Sequence, residues 1–125
     1  PVFRSNGTAL PDTEEWRAHA ATGFRNWRLQ VFGLVTRPLS LSLDQLRRLP
    51  ARTQITRHDC VEGWSAIGQW TGARLGPILQ AAGLHPSARF LVFHCADRIG
   101  GRLYYESLDL IDAFHPQTIL AYALN

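Results

Sequence analysis

The run Arg57-His58-Asp59-Cys60-Val61-Glu62, followed by Gly63 and Trp64, sets one thiol among a guanidinium, an imidazole and two carboxylates. A cysteine beside Arg and His tends toward the thiolate, the form that attacks electrophiles and binds soft metals. Three chemistries compete for it. As a nucleophile, Cys60 would take its base from His58, two residues back on the same face of an extended strand. As part of a zinc site, Cys60, Cys95, His58 and His94 supply the ligand count, but no pair of them has the close spacing of structural zinc motifs. As a lone thiolate ligand, Cys60 needs only a cofactor that brings the metal's remaining sulfurs. The plain alternative is a core cysteine, since free cysteine is among the most buried residue types.

The elements around this run can be read from caps, breakers and periodicity. Asp12 is placed to cap a short helix over 13–21, with Glu15 as its capping-box partner and Gly23 as its stop, which makes an N-terminal arm of residues 1–26. From Trp27 the pattern WRLQVFGLV reads as a strand with a bend or bulge at Gly33, and it opens the main domain, 27–125. Ser42 caps LDQLRRL with Gln45 three residues on, and Pro50 stops that helix. RTQITRHDC is then extended, with Thr56, His58 and Cys60 on one side and Ile55, Arg57 and Asp59 on the other. Pro77 suits the first turn of a helix that carries Ile78, Leu79 and Ala82 inward and ends at a left-handed Gly83. RFLVFHC reads as a buried strand, LYYES as a short strand, LDLIDAF as a brief helix that stops before His115-Pro116, and TILAYAL as a last strand. The expected class is α+β, a mixed, β-rich domain without repeats or linkers.

At 125 residues, one domain can bury a core without disulfides or a structural metal. No stretch has the length of a membrane span, so the chain is expected not to cross a membrane itself. All 13 basic residues are arginine, a fork of donors suited to phosphate and other oxyanions, although codon bias also replaces lysine with arginine. A net charge of only +3 argues against a nucleic-acid partner. The two cysteines match neither a C-x-x-C redox pair nor a disulfide-built scaffold, so they do not fix the compartment.

Three segments carry a resemblance: WRLQVFGLVTRPLSLSLDQLRRLP, TRHDCVEGWSAIGQWTGARLGPIL and YYESLDLIDAFHPQTILAYALN. Together they resemble the oxidoreductase molybdopterin-binding domain of the sulfite oxidase family, and most closely its branch of periplasmic methionine sulfoxide reductase catalytic subunits. The family pattern sets an arginine three residues before the ligand cysteine, where this chain has Arg57 and Cys60. The resemblance therefore implies that Cys60 binds a single molybdenum, whose other ligands are two pterin dithiolene sulfurs and oxo or hydroxo groups.

Further residues follow from the same resemblance. Glu62 matches a glutamate of the reductase branch, where sulfite oxidases carry a Gly-Asn-Arg run, which disfavours sulfite oxidation. A carboxylate there would repel an anionic substrate and could move a proton. Tyr104 matches a tyrosine that approaches the active site in sulfite oxidases, with cross-strand packing as its alternative role. Glu106 also matches the reductase branch, although a charge ahead of Ser107 could simply favour a helix start. Cys95 falls where that branch has a threonine touching the pterin, His58 lies beside the ligand, and Asn6 aligns loosely with an asparagine that reaches the metal. The implied activity is oxygen-atom transfer to or from a small or sulfoxide-type substrate, with sulfite oxidation or cysteine-nucleophile chemistry as alternatives. The resemblance also implies a haem-containing electron partner and a periplasmic location. The pterin and phosphate clamp of the family lies beyond AYALN, so this is expected to be the N-terminal part of the domain, incomplete at its C-terminus.

Overall fold

Residues 9–60 and 62–125 are described by the computed structural model. Asn6 lies outside the described residues. The arm forms helix α1 (Glu14–Ala21), capped by Thr13, whose hydroxyl accepts from Trp16 N–H. The cap is thus one residue later than expected at Asp12, which is instead paired with Arg17. Both residue types can cap, and here Thr13 holds the extended backbone that a cap needs. No residue of α1 is buried. Trp16 and Phe24 pack edge to face at 5.0 Å, so the arm has a small aromatic contact of its own.

The body begins with a hairpin of β1 (Arg28–Val31) and β2 (Leu39–Ser42). Ser42 then caps α2 (Leu43–Arg48) through the reciprocal capping box with Gln45. β3 (Ala51–Asp59) and β4 (Ser65–Arg74) form a long hairpin, and β7 (Ile119–Leu124) pairs with the other edge of β4. Strand β4 was not anticipated, because Gly68 and Gly72 weaken its strand signature. Gly72 is there for space: a Cβ on it would lie 2.2 Å from the Leu120 carbonyl oxygen of β7. Helix α3 (Leu75–Ala82) ends at Gly83 with φ 71°, as its sequence predicts. A second hairpin of β5 (Phe90–Ile99) and β6 (Arg102–Asp109) turns through Gly100 and Gly101, both at positive φ, and runs into α4 (Leu110–Ala113).

The four ladders among the described residues are antiparallel. Three of them join consecutive strands through connections too short for the crossover that parallel pairing requires. Strand β5 is not buried on both faces as RFLVFHC suggests. Its residues alternate, with Phe90 67% and Val92 52% exposed while Leu91 and Phe93 pack against the core. An apolar run cannot say whether both faces are covered. The core lies in two clusters, one around Leu46, Ala73 and Ile78 and one around Leu75, Leu79 and Ala113, and Leu120 packs against both.

Candidate active site

Strand β3 delivers Cys60 to the start of the loop that turns the chain into β4. Two backbone hydrogen bonds fix this turn: Cys60 N–H donates to the Trp64 carbonyl at 2.8 Å, and Gly63 N–H donates to the Cys60 carbonyl at 3.0 Å. Gly63 adopts φ 94°, a conformation that a residue with Cβ rarely takes, so the glycine is part of what closes the turn. Cys60 is a free, half-buried thiol, and Glu62 is exposed on the same loop. The His58 and Trp64 rings lie 5.5 Å apart, bridging the two strands at the mouth of the turn.

The alternation predicted for β3 decides which neighbours share a face. Gln54, Thr56 and His58 line an open groove of about 300 Å³ together with Trp70 of β4 and residues of the β7 approach. Arg57 lines the opposite side with Ser65, Ala66 and Ile67, and its Nε donates to Asp59 Oδ1 at 2.9 Å. Arg57 and His58 are therefore on opposite faces of the hairpin, and the structure does not gather the whole Arg57–Glu62 run around one point. The exposed Arg57–Asp59 pair contributes at most about 1 kcal/mol to stability.

A second group of reactive side chains sits on the inner face of β5 and β6. The register shifts between His94↔Tyr105 and Arg98↔Leu103, so Cys95, Ala96 and Asp97 of β5 bulge opposite Tyr104 of β6. Bulges re-aim side chains, and this one sets Cys95 and Asp97 beside Tyr104 and Glu106. Tyr104 Oη donates to Glu106 Oε1. That bond, then burial, then the charges of Glu106, Cys95 and Asp97 push the phenol up to about 12. Burial first, then Asp97 and Glu106, also pushes the Cys95 thiol up, which keeps it protonated, and its Sγ lies 3.7 Å from the Phe93 carbonyl. The arm reaches the end of the bulge through a two-way backbone bridge between Ala9 and Arg98.

Among the described residues, no three His, Cys, Asp or Glu side chains are grouped so as to hold a metal ion. Cys60, Cys95, His58 and His94 are thus not assembled as a zinc set. His94 instead stacks on Phe32 at 6.2 Å. Asp97 was missed by sequence reasoning, although period two from Cys95 places it on the same face. The bulge that makes this matter had no sequence signal.

A family model, described as the oxidoreductase molybdopterin binding domain, matches residues 17–125. The chain belongs to this family. Among its relatives, YedZ1 of Azospira oryzae, assigned by name as a protein-methionine-sulfoxide reductase subunit, is 45% identical over 76% of this chain and 34% of its own length. The protein-methionine-sulfoxide reductase catalytic subunit MsrP of Gluconobacter oxydans is 34% identical over 92% of this chain and 40% of its own. The chain thus spans well under half the length of these relatives. Sulfane dehydrogenase SoxCD from Paracoccus pantotrophus has the same fold, with a TM-score of 0.72 at 22% identity over 81% of this chain and 30% of that one. No helix among the described residues is long and apolar enough to cross a membrane.

The donor set fits the family's cofactor. A metal that arrives with two dithiolene sulfurs asks one soft thiolate of the protein, and Cys60, half-buried in a braced turn, offers that.

Proposed function

We propose that this chain is the thiolate-bearing part of a molybdenum–molybdopterin oxidoreductase that moves an oxygen atom from a sulfoxide-type substrate, with one molybdenum bound through Cys60. The observation that carries the reading is Cys60 itself, a half-buried thiol held in the β3–β4 turn in a chain of this family. When bound, the cofactor supplies two-electron oxo transfer. Reduction of a sulfoxide consumes two electrons and two protons and gives a sulfide and water. The electrons come from a separate redox protein, and a haem protein of the periplasm suits that task.

The residues of this chain bind, orient and exclude. The turn between Cys60 and Trp64 keeps the thiolate from swinging. Glu62 stands two residues beyond the thiolate, on the same loop, where it can hold or release a proton and where its charge disfavours anionic substrates. Tyr104 and Glu106 form the polar face toward the substrate, Cys95 and His58 border the cofactor, and Asn6 is carried over from the family pattern alone. Arg57 braces the cysteine-bearing strand through Asp59. The names of the methionine sulfoxide reductase relatives support the choice of substrate.

Elemental analysis of the full-length protein beside Cys60→Ser tests this directly. Near-stoichiometric molybdenum in the parent, lost or spectroscopically altered in the variant, is the expected result. Protein without molybdenum from cells able to make the cofactor overturns the reading, and alkylation of Cys60 with loss of a metal-independent activity would replace it with thiol chemistry.

A further inference from the structure

The β5–β6 hairpin ends in a tip that takes no part in the site. Residues 98–103 are all exposed, and they run Arg98-Ile99-Gly100-Gly101-Arg102-Leu103 with no carboxylate among them. The nearest carboxylate along the chain, Asp97, is half-buried on the inner face. Gly100 at φ 57° and Gly101 at φ 78° make a two-residue turn of the kind whose twist matches a hairpin. Arg98 Nη1 donates to the Gly101 carbonyl at 3.2 Å, which folds the guanidinium over the turn, and the Arg98 backbone is bridged both ways to Ala9. The tip is therefore held in shape before it meets a partner.

Its side chains surround the turn instead of lining one side of it. Directly opposed residues share a face, so Arg98 lies with Leu103 on one face and Ile99 with Arg102 on the other. Each face thus carries one guanidinium and one exposed aliphatic side chain, with Ile99 47% and Leu103 56% exposed. Tyr105, also exposed, follows Leu103 on the same face, about 7 Å farther from the turn. A flat protein surface meets one face of a hairpin and leaves the other in water. A fluid interface closes around both.

We infer that the β5–β6 tip docks into the headgroup layer of an anionic phospholipid membrane, with Ile99 and Leu103 at the acyl boundary, Arg98 and Arg102 on lipid phosphates and Tyr105 at headgroup level. The charges are complementary, and the planar guanidinium fork matches phosphate oxygens. Long arginine stems let the charge stay with the phosphates while the neighbouring aliphatic groups sit deeper, and tyrosine favours the boundary between water and lipid. The tip enters by a few Å only, so this is a surface contact and not a span. Tyr104 and Glu106 follow directly behind the tip on β6, so docking sets the inner face of the hairpin beside the bilayer. The inference stands apart from the molybdenum assignment, which turns on Cys60.

The test is flotation of the full-length protein with vesicles of phosphatidylcholine alone, or of phosphatidylcholine mixed in equal parts with phosphatidylglycerol. Wild type should bind the mixed vesicles, come off them as salt is raised, and bind phosphatidylcholine alone about tenfold more weakly. A cation near an anionic surface strengthens binding about fivefold, so Arg98→Gln combined with Arg102→Gln should weaken it on the order of twentyfold. Ile99→Ser combined with Leu103→Ser keeps the charge and should weaken binding about tenfold. All four positions are exposed, and an unchanged unfolding midpoint checks that both double variants fold. Wild type that binds neither kind of vesicle overturns the inference. So does binding that both double variants retain, since another surface then holds the lipid. Loss with the arginine pair alone leaves a general anion contact, as open to an acidic protein as to a membrane, and overturns docking into the headgroup layer.

Discussion

Helix α3 and strand β3 are nearly the same length, and they have opposite economies of burial. Four residues of α3, Leu75, Ile78, Leu79 and Ala82, are 4% exposed or less, whereas no residue of β3 reaches the core and Ile55 is 74% exposed. Stability is concentrated in the helix and the strands that meet it, β4 included through Ala73, and the candidate cysteine follows a strand, β3, that packs little. A loop such as 60–64 can then be shaped by two backbone hydrogen bonds and one glycine without disturbing the core. Functional residues on turns held by a firm scaffold are a general arrangement.

That contrast can be tested by substitution, with thermal or denaturant unfolding as the measurement. The largest effect is expected from Gly72→Ala, whose new methyl would overlap the Leu120 backbone and force β7 off β4. A loss of about 3 kcal/mol or more, or failure to fold, is expected, and a near-neutral result would mean that β7 can move. Leu79→Ala, at a side chain 2% exposed, should cost about 2–5 kcal/mol, and a value below about 1 would place the core elsewhere. Ser42→Ala removes one half of the α2 capping box and should cost about 1 kcal/mol. Ile55→Thr on the reactive hairpin should fall within about 0.5 kcal/mol of the parent. If Ile55→Thr instead destabilises the full-length protein by about 2 kcal/mol, that face of β3 is covered there and the contrast with α3 shrinks.

Local chemistry was the legible part of the sequence. Ser42 with Gln45, and Gly83 after an apolar run, each determine their own cap, and both are found where the sequence puts them. The alternation of β3 was also readable, and it correctly separated His58 from Arg57. What failed depended on partners far along the chain. The half-exposure of β5 turns on what covers Phe90 and Val92, and β4 was obscured by glycines whose purpose is the approach of Leu120. At the site, Cys60 could be singled out from its neighbours, and Tyr104 and Glu106 from the family pattern. Their hydrogen bond needs β6 to be extended, and the bulge that adds Asp97 exists only once β5 and β6 are in register.

Strand β7 also sets an order of assembly. Hairpins β1–β2, β3–β4 and β5–β6 each close a short loop, an event of microseconds, whereas pairing β7 with β4 must bring Ile119 to Arg74 across most of the second half of the chain. Leu120 touches both core clusters, so the halves become one cooperative unit only when this last, non-local pairing forms. In kinetic terms β7 is the late latch, and a mutation such as Leu120→Ala should speed unfolding far more than it slows folding.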